Sequence, residues 1–450
     1  MTVTPLRIGW LVVSAAAYLT LAYAIPRQEF GLLIGLLTGL FLGYALVVRR
    51  AAAGPVDRFL FASAIGFRLL LLLSIPCLSD DVYRFVWDGR LLAHGFNPYL
   101  YLPAALPGTD IAAAAGLNET LFRQLNSPGY FTVYPPFNQA LFGVAAWLSG
   151  NSLFWNVIWL RLPILLSEIG TLWLMATLLR RLGYPPNLAL LYGLNPLVIL
   201  ELTGNLHVEA VMIFLVLLAV WWLVQDRWVM SAGALALAVA TKLLPLLLIP
   251  LAVRWLGWQR GLRYALLTGL FTALLFAPFA SLDLARNVFS SINLYFQKFE
   301  FNASVYYVLR AIGYWIRGYN AIGLIGAWLS VTTTFSLLWI AFAWRRVPVA
   351  SQLLASLTLY FAFATTVHPW YLASLVAAAV FTRFRYPLVW SALVPLSYHT
   401  YRTPAYQENL WLTALEYTLV LAVMIAEIRQ PAKPEKKAIG LSTNGFSEPA

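Results

Sequence analysis

Runs of about 20 apolar residues recur along almost the whole chain, and a run of that length crosses a bilayer as a single helix. They fall at about 8–25, 30–48, 59–78, 155–179, 187–204, 207–224, 262–280, 320–343, 349–367, 369–382, 387–400 and 409–426. No water reaches a bilayer interior to satisfy backbone groups, so such runs must be helical. Composition agrees. Hydrophobic residues make up 61% and charged residues 11% of the 450 residues, where a soluble domain carries about a quarter charged residues. The expected fold is all-α: a polytopic integral membrane bundle of about 12–14 transmembrane helices, some short or broken. One domain is expected over 1–430, followed by a polar, disordered cytoplasmic tail over 431–450. The first run follows only Arg7 and precedes no small-residue cleavage pattern, so it reads as a retained span.

The net charge of +12 does not imply nucleic acid. Lys and Arg concentrate in short turns, where they orient the spans, and no soluble basic module stands apart. Arg49, Arg50 and Arg58, Arg180 and Arg181, Arg227, Arg254, Arg260 and Arg263, Arg345 and Arg346, and Arg383 and Arg385 mark cytoplasmic turns. The lone Cys77 excludes a disulfide framework or a cysteine metal site.

This orientation holds only if two segments do not cross as single spans. Residues 136–149 are too short. Residues 228–253 have arginines at both ends, so two half-helices meeting near "TKLLP" are expected, with Pro245 breaking the hydrogen-bond ladder. The polar segments then face outward: the first extracytoplasmic loop 79–134, the "TGNLHVEA" turn, 281–318, the "VHPWY" turn and "HTYRTPAYQEN". The two long ones read as carrying interfacial amphipathic helices.

Within them lie the candidate functional residues. Adjacent Asp80 and Asp81 follow a span, and two carboxylates side by side repel each other. Either can serve as a general base in a partly dry site. Asp81, Arg84 and Asp88 share one helical face, leaving Val82, Phe85, Val86 and Leu92 to meet the membrane. Tyr134 enters a proline turn. Asn205 reads as a helix cap or a substrate contact, beside His207 and Glu209. His207 and Glu209 do not share a face, so no metal is expected there. Lys242 is placed deep in an apolar run with no nearby acid in sequence. A cation there needs an anion, and a ligand phosphate supplies one. His368, Trp370 and Tyr371 open a short helix suited to anion recognition, although Trp and Tyr also form interfacial belts. Arg68, Arg161, Glu168 and Glu416 read as structural pairs; Arg161 and Glu168, two helical turns apart, either pair along one face or bridge to a neighbouring helix. The sequons at Asn118 and Asn302 read as chance.

"SDDVYRFVWDGRLLAHGFNPY", "YPPFNQAL", "GNLHVEAV", "ATKLLPLLLIPL", "FNASVYYVLR" and "HPWYL", in that order over roughly 60–375, resemble the polytopic glycosyltransferases of the C superfamily. The likeness is nearest to the polyprenyl-phosphate-sugar-dependent, bacterial mannosyltransferase-like branch. The resemblance implies that Asp80 or Asp81 deprotonates the acceptor hydroxyl, with Asp80 favoured by its spacing to Tyr83. It also implies that Lys242 and His368 hold the donor phosphate. The family acids are often separated by one residue, whereas here they are adjacent.

Together these readings lead to a membrane glycosyltransferase in the bacterial inner membrane, with its site facing outward. A hexose, mannose favoured, moves with inversion from a polyprenyl-phosphate donor to a lipid or glycan acceptor. Arg84, Asp88, Tyr134, Asn205, His207, Glu209, Trp370 and Tyr371 are the expected substrate contacts. Membrane lipids surround a monomer, and no nucleic acid, metal or cofactor takes part. The rival is a transporter or lipid flippase, which also uses broken helices and a buried lysine. Against it, no internal repeat is visible and the ionisable groups map to one face.

Overall fold

The computed structural model describes residues 4–51, 54 and 56–431, and of 292–298 only the backbone. Apart from Pro431, the expected tail lies outside the described residues. The regular structure of the described residues is helical. The only strand-like pairing among the described residues is an isolated bridge between Phe301 and Thr366. Among the described residues, six helices are long and apolar enough to cross a membrane: Pro5–Tyr23, Phe30–Ala51, Leu153–Arg181, Trp258–Phe279, Ile322–Ala343 and Leu410–Arg429. Shorter apolar helices complete the bundle: Glu209–Val224, Trp228–Thr241, Leu244–Leu256, Val349–Phe363 and Pro369–Ala379. Their outward faces carry large apolar side chains such as Val13, Trp173, Leu266, Phe335 and Trp411. Such faces belong in lipid, and this is a multi-pass membrane protein. One continuous core runs from Tyr18 to Val420, crossing both halves of the chain.

The expected span at 187–204 is bent by 56° between Pro186–Gly193 and Pro196–Gly204. Pro196 cannot continue the preceding ladder, and Asn195 starts the second half by accepting a hydrogen bond from the Val198 amide. Residues 199–204 form a wide π-turn, which leaves carbonyls loosely satisfied. Arg161 supplies the donors: it reaches the carbonyls of Thr203 at 2.8 Å, Gly204 at 3.0 Å and Leu72 at 2.6 Å. Of the two readings of Arg161 and Glu168, bridging to neighbouring elements is the one formed. Glu168 accepts from Arg68 Nε at 2.8 Å and from the Tyr192 hydroxyl. Glu416 takes hydrogen bonds from Asn302 and Trp390.

The segment 228–253 breaks where the sequence places the break. Trp228–Thr241 ends one residue before Lys242, which is extended, and tight turns through Pro245 lead into Ile249–Leu256. The helix Asp81–Ala93 departs from expectation. Val82, Phe85 and Val86 face protein rather than lipid, and the polar Arg84, Asp88 and Arg90 are buried with them. The reason is close docking on Pro136–Ser149. Phe85 stacks on Phe142 at 4.5 Å, and a Cβ at Gly89 would lie 2.4 Å from the Phe142 carbonyl oxygen. The second polar stretch does carry an amphipathic helix, Val305–Arg317. It buries Tyr306 and exposes Val308, Trp315 and Ile316.

Candidate active site

Asp80 and Asp81 are fixed by different partners. Asn205 accepts hydrogen bonds from the backbone amides of Cys77 and Leu78 at 3.3 and 3.2 Å, which ties the chain just before the two acids to the end of the π-turn. Asn205 thus tethers a loop, and the first turn of the next helix begins beyond it at Glu209. Asp80 then forms an ion pair with Arg27 at 2.7 Å. Asp81 accepts from the Asn126 side-chain amide at 2.7 Å, and its second oxygen has no hydrogen-bond partner among the described residues. Burial pushes the Asp81 carboxyl above the usual carboxylate range. Asn126 and Lys242 pull it back, while Glu209 and Asp80 add to the rise.

The loop that carries Asn126 is held by the polar stripe of the same helix. Arg84 donates to Asp88 at 2.8 Å and to the carbonyls of Ser127 and Tyr130. Gln139 donates to the other Asp88 oxygen at 3.2 Å and to Thr132. Arg84 and Asp88 are almost wholly buried and hold the loop. Tyr134 packs its ring against Phe85 and Phe142, while its carbonyl accepts from Tyr99 at 2.7 Å. All three expected substrate contacts take part in holding the protein around the acid pair.

Lys242 has a partner in the fold that its sequence neighbourhood lacks. Its ammonium pairs with Glu209 and lies 4.5 Å from the centre of the Tyr371 ring. Glu209 is buried, whereas the lysine side chain is 30% exposed. The side chain is therefore not sealed off, and a ligand is not its only counter-charge. His368 meets the same Tyr371 ring edge-on at 5.3 Å, so Lys242 and His368 converge on one aromatic surface.

His368 belongs to a stack of four rings. His207 lies on Trp370 at 3.8 Å, Trp370 on His368 at 4.4 Å, and His368 on Phe301 at 5.0 Å. Both faces of Trp370 and of His368 are thus covered, and only ring edges remain to meet a ligand. The His207 Nδ1–H donates to the Glu201 carbonyl at 2.8 Å, leaving Nε2 without a partner. The Nδ1 of His368 also has no partner. Burial holds the His207 imidazole far below its usual range. It pushes His368 down to about 3, helped by Lys242. Both rings are neutral near pH 7.

Phe301 reaches the stack through backbone pairing. Its amide donates to Thr365 at 3.0 Å, and the Val367 amide donates back to Phe301 at 2.8 Å. Asn302 secures this with a left-handed φ of 45°, its amide proton donated to Glu408 at 2.8 Å and its carbonyl accepting from Tyr417 at 2.7 Å. The sequence reading missed Arg27, Asn126, Phe301 and Glu201. An arginine in a short turn expected on the outer side was the one available signal, since such turns are poor in positive charge.

The fold and these contacts describe a multi-pass helical membrane protein with paired carboxylates and a lysine–histidine cluster gathered among its connecting turns. The family described as alpha-(1->6)-mannopyranosyltransferase, N-terminal domain, matches residues 1–257, and the chain belongs to that family. It is similar to alpha-(1->6)-mannopyranosyltransferase A of Mycobacterium tuberculosis, 30% identical over 220 residues, covering 48% of this chain and 40% of the relative. It is also similar to alpha-(1->6)-mannopyranosyltransferase A of Corynebacterium glutamicum, 26% identical over 208 residues, covering 46% and 40%. Against alpha-(1->6)-mannopyranosyltransferase B of the same organism the identity is 26% over 144 residues, covering 32% and 23%. The matched stretch spans well under two thirds of these relatives. The family match includes Asp80, Asp81, Glu209 and Lys242 but stops before His368.

Proposed function

We propose that this protein is a glycosyltransferase that moves mannose from a polyprenyl-phosphate donor to a lipid or glycan acceptor. It works as a monomer at the extracytoplasmic face of a bacterial inner membrane. The observation that carries the reading is the convergence of Lys242 and His368 on the Tyr371 ring, with Asp81 within electrostatic reach of Lys242. The relatives' names supply mannose as the sugar.

In this reading the donor phosphate lies against Lys242 and the edge of His368. Asp81 takes the proton of the acceptor hydroxyl. The acceptor oxygen attacks the anomeric carbon, and the bond from that carbon to the phosphate oxygen breaks with its electron pair going to the phosphate. Lys242, whose charge is fixed in place before reaction, stabilises the negative charge that develops there. Direct displacement inverts the anomeric centre. Asp81 is the better base of the two acids because Asp80 is committed to Arg27, while one Asp81 oxygen is open and burial raises its proton affinity. Because the leaving group is a monophosphate beside a cation, the reaction is proposed to run without a divalent metal.

Purified protein in nanodiscs, given labelled mannosyl-phosphate polyprenol and a lipid acceptor extract, should transfer label. Asp81→Asn should abolish transfer and Asp80→Asn should reduce it less. Chelation should leave the rate unchanged. Absence of transfer from any polyprenyl-phosphate sugar, together with substrate movement across liposomes, would sink the enzyme reading in favour of a transporter.

A further inference from the structure

We propose that Arg27, in the turn between the first two helices, is the positioning residue that decides which of the two adjacent aspartates is the base. The inference rests on the glycosyltransferase reading above and extends it to a residue that neither a motif nor a catalytic role had marked.

Arg27 lies between Pro5–Tyr23 and Phe30–Ala51, a turn of a few residues with no topological need for positive charge on the outer side. Its side chain is 15% exposed and is held from three directions. Nη1 pairs with Asp80 at 2.7 Å. Nη2 donates to the Tyr406 hydroxyl at 3.4 Å. The guanidinium lies 5.0 Å from the centre of the Tyr401 ring. Arg27 therefore joins the first turn, the acid pair and the segment 401–406, three stretches remote in sequence. A surface arginine with no task would not be packed on an aromatic face and bonded at both nitrogens.

The chemistry follows from the charges around the pair. Two neighbouring carboxylates raise each other's proton affinity, and a shared proton would leave neither committed as base. Asp80 faces Arg27 and is near Tyr83 and Tyr401. Asp81 faces Asn126, with Lys242, Glu209 and Tyr401 within electrostatic reach. Arg27 is the one cation in direct contact with either acid among the described residues. It engages Asp80 directly and leaves Asp81, which lies within electrostatic reach of Lys242, as the acid that takes the acceptor proton. Arg27 touches neither the sugar nor the phosphate in this scheme.

The test is the pH profile of kcat/KM for transfer from a mannosyl-phosphate polyprenol, measured on full-length protein in nanodiscs. Without the cation the repulsion between the two adjacent carboxylates is unrelieved, which disfavours full ionisation of the pair. Arg27→Gln should therefore move the acid limb upward by about one pH unit. Arg27→Lys should return most of that displacement. Size exclusion and melting temperature confirm that each variant is folded. If Arg27→Gln lowers kcat with the limb unmoved, or if lysine restores the rate without restoring the limb, Arg27 only braces the fold and the proposal is overturned. The proposal stands or falls separately from the enzyme reading. A wild-type protein with no transfer refutes the enzyme, whereas an active wild type with an unresponsive limb refutes only the role of Arg27.

Discussion

Asn138 donates its side-chain amide to the carbonyl of Thr241 at 2.6 Å, one residue before Lys242. The two lie in different helices, and Asn138 is fully buried. The contact explains how a helix can stop inside an apolar run. The last carbonyls of a helix lack intrahelical donors, and an unpaired carbonyl away from water costs about 1–3 kcal/mol. Asn138 covers one of them, and the chain is then free to turn Lys242 outward. Replacing it with leucine should loosen the Lys242 geometry and weaken binding of polyprenyl monophosphate about tenfold. Asn138→Asp should be worse, since it sets oxygen against the Thr241 oxygen. Tryptophan-fluorescence titration with the monophosphate gives the order; equal affinities for wild type and both variants would show that the contact does not control Lys242.

Six of the twelve expected spans, as helices long and apolar enough to cross, and the break at Lys242 were legible because they depend on local quantities: length of an apolar run, a proline, and arginines at both ends. The acids and histidines stood out because ionisable groups beside apolar runs are costly to place. What could not be read were relationships between distant residues. Glu209 and Lys242 are 33 positions apart, so the lysine read as an unpaired cation. Asn126 and Asn138 are single amides with no periodicity, and Phe301 is one aromatic residue in a chain where aromatics make up 15%. The helix Asp81–Ala93 was misjudged for a related reason. Its polar stripe pointed to water, but tertiary partners for Arg84 and Asp88 made it cheaper to bury.

A second prediction concerns the acid limb of the wild-type protein. Burial raises the Asp81 carboxyl, and the base must be ionised to act. Activity should therefore be full above the raised value and fall as pH drops through it. A free aspartate titrates near 4, so the half-maximal point of kcat/KM should lie above that. The limb should vanish along with activity in Asp81→Asn, while Asp80→Asn should retain a limb. A limb at or below about 4 would show that Asp81 is not the group being titrated.

Gly89 marks where the two helices that frame the acid pair come closest. A methyl group there would meet backbone, the Phe142 carbonyl oxygen at 2.4 Å and its carbon at 2.7 Å. Backbone cannot swing aside as a side chain can. Alanine ordinarily favours a helix over glycine by about 1 kcal/mol, but overpacking costs about 1–3 kcal/mol, and here the second effect wins. Gly89→Ala should lower the melting temperature in detergent by several degrees. Gly66→Ala, in the helix Arg58–Leu70 with nothing within 4 Å of the added carbon, should not lower it. Equal melting curves for the two variants would mean that the helices can separate freely.

The Lys242–Glu209 pair makes the sharpest prediction, because it reverses the usual expectation that removing a buried partner harms binding. Glu209 is buried at the start of the helix Glu209–Val224, and its carboxylate engages the same ammonium that a phosphate would need. A lysine has three donors, so carboxylate and phosphate can bind together, but the two anions repel each other across it. Glu209→Gln keeps the shape and removes the negative charge. Polyprenyl monophosphate should then bind about tenfold more tightly, as expected when a repulsion worth about 1.4 kcal/mol is lifted. Lys242→Gln should weaken it by at least as much. The gain should come with slower turnover, since the monophosphate is also the product and must leave. Measured together, product affinity and kcat should move in opposite directions in Glu209→Gln. If affinity falls instead, Glu209 holds Lys242 in its working position and does not compete with the phosphate.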